Sequence, residues 1–151
     1  MAGRVRGVHP VPGVLAGGPG TELDHLGIAV PRLDEAVPVW AATLGTTASP
    51  PELIESQRVR VAFLSAGAPH IELLEPTDAD SPVGRFVRDR GGGLHPVAFG
   101  VPRVDAALDA VAARGGRLVD RTARPGARGR RVGFAHPSAH GGVLVEFVEG
   151  P

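Results

Sequence analysis

The sequence predicts an α+β fold of two tandem βαβββ modules, with a mixed sheet that encloses a cavity and helices on its other face. Three observations predict it: an internal repeat, short apolar runs that stop at proline, and segments of helical spacing that stop at glycine. Residues 23–36, LDHLGIAVPRLDEA, align without a gap on residues 94–107, LHPVAFGVPRVDAA, with six of fourteen positions identical. Further on, HIELLE at 70–75 resembles VLVEFV at 143–148, with Glu72 and Glu146 falling 74 residues apart. Each half repeats in order as well as in composition.

Taken in order, residues 1–20 are rich in glycine and proline, show no period, and read as a flexible leader. Residues 21–151 read as one domain, with module 1 at about 21–80, a linker helix at about 81–91 and module 2 at about 92–150. Residues 23–30 and 94–101 are apolar, β-branched runs ended by Pro31 and Pro102, as strands are. A helix follows each, with Asp34 and Asp105 placed as N-caps and the second helix stopped by Gly115 and Gly116. Further strands are expected at 59–65 and 70–75, then at 131–135 and 143–148. Ser81 and Pro82 form a cap and first-turn pair for a helix over 82–90, which Gly91, Gly92 and Gly93 end.

Composition narrows the chemistry. The 151 residues hold no cysteine and no tyrosine, and all sixteen basic residues are arginine. Thiol nucleophiles, thiolate zinc sites, Schiff bases and P-loop lysines are therefore excluded. Sixteen basic side chains balance sixteen acidic ones, so no bulk charge draws the chain to nucleic acid or to an anionic membrane. The expected partner is a small molecule. No apolar run reaches the length of a membrane span, and a cytoplasmic location is expected.

Period-two alternation then groups side chains by face. His25, Gly27 and Ala29 point to one side of the first strand, and Pro96, Ala98 and Gly100 to the same side of its repeat. By parity His95 belongs to the opposite face and to packing. If the halves pair about a pseudo-two-fold axis, His25, Glu72 and Glu146 converge on one concave surface with Pro96 at the fourth symmetric place. Glu72 and Glu146 each interrupt an apolar strand, where an unpaired carboxylate costs several kcal/mol unless it meets a cation or takes a proton. For His25 a buried structural role satisfied by hydrogen bonds stands beside the role of ligand. His136, at a turn after a strand, is read equally as pocket lining and as turn structure; His9 and His140 are expected in solvent. Arg121, Arg124, Arg128, Arg130 and Arg131 crowd a loop beside the expected cavity, where their forks suit phosphates and where an exposed charged loop is the alternative.

Six ordered blocks carry a family resemblance: LDHLGIAVPRLDEAV, VRVAFLSAG, IELLEPTDADSPVGRFV, GGGLHPVAFGV, RPGARGRRVGFAHP and GGVLVEF. Over residues 23–149 the chain resembles the vicinal oxygen chelate (glyoxalase/bleomycin resistance/dioxygenase) superfamily, and within it the methylmalonyl-CoA epimerases. The resemblance implies a homodimeric isomerase acting on an acyl-CoA, with a divalent metal (Co²⁺, Mn²⁺, Zn²⁺ or Mg²⁺) held by two His and two Glu or Gln side chains. His25, Glu72 and Glu146 match three of those ligands. Epimerases read Gly-hydrophobic-His-His at the fourth, and Pro96 stands where the ligating histidine would be. The glutamate base that some epimerases carry is replaced by Val61. Glu146 and Glu72 are the expected catalytic carboxylates; His70, His136, Arg128 and Arg130 are candidate pocket residues. Pro96 keeps open a metal-free enzyme in which a Glu pair shares a proton for isomerisation, cyclisation or elimination. A ligand-sequestering protein is the third reading.

Overall fold

The computed structural model describes residues 21–65 and 69–150, so the expected leader over 1–20 lies outside the described residues. Module 1 runs β1 (Glu22–Ala29), α1 (Leu33–Leu44), β2 (Glu52–Ile54), β3 (Val59–Leu64) and β4 (His70–Pro76). Helix α2 (Pro82–Arg90) leads into module 2: β5 (Gly93–Gly100), α3 (Val104–Ala113), β6 (Arg124–Pro125), β7 (Arg131–Ala135) and β8 (Val145–Glu149). The strands form one mixed sheet in the order β2-β3-β4-β1-β5-β8-β7-β6. That order is symmetric about the antiparallel β1–β5 pair, with β4 parallel to β1 and β8 parallel to β5. The repeat in the sequence is thus a two-fold in the sheet.

Helices α1 and α3 cover the outer face. Leu33 packs on Ala62, Leu64 and Leu73, while Val104, Leu108 and Val111 pack on Ala135, Val145 and Phe147. Two further clusters line the inner face, one around Val61, Phe63, Leu74 and Val83, the other around Ala98, Val132, Phe134 and Val148. Their apolar walls surround the polar residues of the site.

Helix ends depart from the sequence reading at two places. Asp34 and Asp105 are not caps: the helices start two residues earlier than that reading gives, at Leu33 and Val104, after Arg32 and Arg103 in extended conformation. The free first N–H groups donate instead to carboxylates from the ends of distant strands, Leu33 N to Glu75 and Val104 N to Glu149, each at 2.7 Å. A negative charge at a helix start is favourable, so these glutamates cap the helices across tertiary contacts. Helix α2 starts as expected, with Ser81 Oγ accepting from Gly84 N at 3.0 Å.

Candidate functional site

The site forms where β1, β4 and β8 lie close on the inner face. Gly27 on β1 is level with Glu72 on β4, and Ala98 on β5 carries the register from His25 to Glu146 on β8. Gly27 has to be glycine, because a Cβ there would lie 2.5 Å from His95 O and Pro96 Cδ. His25, Glu72 and Glu146 are buried together. His25 Nε2 lies 3.1 Å from Glu72 Oε2 and 3.2 Å from Glu146 Oε2, without an aligned hydrogen bond to either. The other ring nitrogen, Nδ1, is held by Asp24 Oδ2 at 2.7 Å. Asp24 in turn takes a two-pronged contact from Arg130, at 2.8 and 3.0 Å.

The charges follow from this packing. Burial alone would lower the His25 pKa, but the Asp24, Glu146 and Glu72 carboxylates outweigh it and raise it to about 10. The hydrogen bond from His25 and the guanidinium of Arg130 hold Asp24 well below the usual carboxylate range. Burial pushes Glu72 up, with Glu146 adding to it and His25 and Arg128 opposing. An imidazolium between two carboxylates, one of them inclined to hold a proton, can pass protons at short range.

A small cavity of about 10 Å³ sits over the cluster, lined among others by Phe63, Arg128, Arg130 and Val132. A larger one of about 480 Å³ continues along the same face past Gln57, with Leu74, Pro96, Phe134, Leu144, Arg58 and Arg124 in its wall. Of the residues singled out in the sequence, the structure brings together His25, Glu72, Glu146, Arg128 and Arg130. Pro96 does not join them but lines the larger cavity, as does His136, whose Nδ1 accepts from Ser138 N. His70 is level with His25 on β4, yet it lines neither cavity. His140, expected in solvent, is half-buried.

Alternation misplaced His95 and missed Asp24 for one reason. The β1–β5 register shifts between Leu23 and His25 and again between Leu26 and Ile28. Each shift is a bulge, and a bulge reverses parity. The first makes Asp24 the extra residue on β1 and leaves its carboxylate beside the His25 ring. The second sets His95 beside Pro96 in the wall of the larger cavity, stacked on Phe86 with ring centroids 4.4 Å apart. The adjacent Asp-His pair was the available signal for Asp24; nothing local marked Phe63, which meets the His25 ring edge-on at 6.1 Å.

The donor chemistry fits a divalent cation in kind. Imidazole nitrogen and two carboxylates face one point, Nε2 lacks a hydrogen bond, and a carboxylate on Nδ1 fixes the ring as it does for metal-bound histidines. As placed, these side chains are ion-paired, and among the described residues no three His, Asp or Glu side chains form a ready-made metal cage.

With this geometry in view, comparison with known proteins is decisive for the family. Residues 24–134 match the Glyoxalase/Bleomycin resistance protein/Dioxygenase superfamily. The chain belongs to that superfamily. It is 35% identical over 128 residues to the mitochondrial methylmalonyl-CoA epimerase of Bos taurus, covering 84% of this chain and 73% of the bovine one. It is 34% identical to the ethylmalonyl-CoA/methylmalonyl-CoA epimerase of Cereibacter sphaeroides, covering 84% and 96%. A Streptomyces coelicolor methylmalonyl-CoA epimerase variant, solved with 2-nitronate-propionyl-CoA, superposes with a TM-score of 0.80 at 39% identity, covering 87% of this chain and 95% of that one. The mixed sheet of this chain curls around the site, with α1 and α3 outside. Among the described residues no helix is long and apolar enough to cross a membrane.

Proposed function

We propose that this chain is an epimerase of the methylmalonyl-CoA type, an isomerase that removes and returns the proton at C2 of an acyl-CoA thioester. The observation that carries the reading is the placement of His25 Nε2 between Glu72 and Glu146, at 3.1 and 3.2 Å, on the inner face of a fold shared with epimerases. Glu146 accepts the C2 proton, and Glu72, which burial inclines to hold a proton, supplies one from the other side. Each carboxylate approaches His25 through Oε2. Asp24 and Arg130 hold the ring through the exchange.

His25, Glu72 and Glu146 would hold a divalent ion, with Pro96 leaving the family's fourth position without a donor. Such an ion supplies Lewis acidity that stabilises negative charge developing on the substrate oxygens. The larger cavity suits the thioester arm, and pairing of two copies belongs to the same reading. The metal-free and sequestering alternatives are not favoured by the relatives, which are named as epimerases.

The test is mass gain of racemic methylmalonyl-CoA in deuterated water, run with added Co²⁺ and again with chelator. Deuterium uptake at C2 that depends on enzyme is expected. Uptake at the enzyme-free rate under both conditions would sink the proposal.

A further inference from the structure

Two arginines reach the small cavity, and they are engaged differently. Arg130 is committed to Asp24. Arg128 forms no salt bridge among the described residues; its guanidinium carbon lies 3.8 Å from the centroid of the Phe63 ring. Phe63 meets the His25 imidazole edge-on. A cation whose side-chain donors have no partner among the described residues is thus stacked one ring away from the acid cluster.

The backbone holds it there. Arg128 has φ 59°, in the left-handed region that non-glycine residues seldom adopt. Its N–H is shared between both carboxylate oxygens of Glu52 on β2, each at 3.3 Å. The turn that carries Arg128 belongs to module 2, so this contact ties it across to module 1 directly over the site. Arg128 is exposed and also lines the small cavity, so its guanidinium borders both solvent and the site.

We propose that Arg128 recognises the free carboxylate of the substrate and so selects α-carboxyacyl thioesters over plain acyl thioesters. This assignment rests on the epimerase reading for the identity of the thioester, and it deepens that reading by naming the group that reads the carboxylate. The small cavity holds no more than a water, so an entering carboxylate lifts the guanidinium off Phe63 and takes two parallel N–H···O bonds in exchange for the ring contact. The exchange favours a charged planar group and gives nothing to a methyl group in the same place. It also offsets the carboxylate's charge while C2 loses its proton next to it, between two further carboxylates.

The experiment compares dissociation constants of malonyl-CoA and propionyl-CoA, which differ by the carboxylate, at fixed ionic strength and with chelator present. Wild type, Arg128→Gly, Arg128→Lys and Arg121→Gly are measured by titration calorimetry. Glycine suits the backbone at 128, so loss of the side chain leaves the fold intact. Wild type should bind malonyl-CoA at least about tenfold more tightly than propionyl-CoA, as a charge-assisted bidentate contact allows. Arg128→Gly should bring the ratio near one with propionyl-CoA binding unchanged; Arg128→Lys should keep part of it. Arg121→Gly makes the same change of net charge on an exposed loop position and should leave the ratio as in wild type. An Arg128→Gly protein that retains the wild-type ratio, or a wild type without preference, overturns the assignment. Preference that depends on Arg128 without deuterium uptake from methylmalonyl-CoA supports the assignment while removing the epimerase reading.

Discussion

His25 Nδ1 and Asp24 Oδ2 lie 2.7 Å apart although the two residues are neighbours on a strand, where side chains ordinarily point to opposite faces. A bulge at Asp24 makes the contact, and it fixes which imidazole nitrogen faces Glu72 and Glu146. Replacing Asp24 by Asn keeps the shape but presents an amide that can donate to Nδ1. Supporting carboxylates of this kind are worth about 10–100-fold in activity or metal affinity. Asp24→Asn is expected to lose that much of the C2 exchange rate, with the circular dichroism spectrum unchanged; an unaltered rate would show that ring orientation is set elsewhere.

Glu72 and Glu146 occupy corresponding strands, and both face His25 Nε2. Glu72→Gln and Glu146→Gln should each lower the exchange rate by about 10²-fold or more, the scale of a positioned acid or base. Removing either carboxylate also removes a partner of His25, so its pKa should fall from about 10. Proton NMR titration of the His25 ring reads that directly.

His95 predicts how stability responds to acid. Burial, helped by Arg90, lowers its pKa from 6.5 to about 4, so the folded protein holds it neutral while the unfolded chain takes up a proton. The stabilisation is complete above 6.5 and is lost as pH falls toward 4. Urea unfolding at pH 7 and pH 5 should show wild type losing more stability than His95→Phe, which keeps the stack on Phe86. Equal losses would mean that the folded protein protonates His95 as readily as the unfolded chain does.

The distant helix caps predict a paired effect. Glu75→Ala and Glu149→Ala each leave a first-turn N–H without its charged acceptor and should cost about 1–2 kcal/mol in denaturant unfolding. The two lie in separate modules and share no partner, so the double variant should lose close to the sum.

Much of this architecture was legible beforehand because it is periodic. The repeat of 23–36 in 94–107 placed β1 and β5, proline marked their ends, and Ser81 with Pro82 marked α2. Alternation grouped His25, Glu72 and Glu146 on one face, where the structure also has them. The very short strands β2 and β6 left no signal, since two or three residues show no period. Asp34 and Asp105 looked like caps because local sequence carries no information about a glutamate more than forty residues away.

By itself, then, the sequence determined the order of the longer elements, the duplicated modules and the three side chains that meet, all of which follow from local preference and from spacing along one strand. Only the tertiary structure decided what those side chains touch. Arg130 reaches Asp24 across 106 residues, Arg128 settles on Phe63, and two bulges turn Asp24 toward the site and His95 toward the larger cavity. Contacts of this kind depend on strand register and on the closeness of two modules, which no window of residues contains.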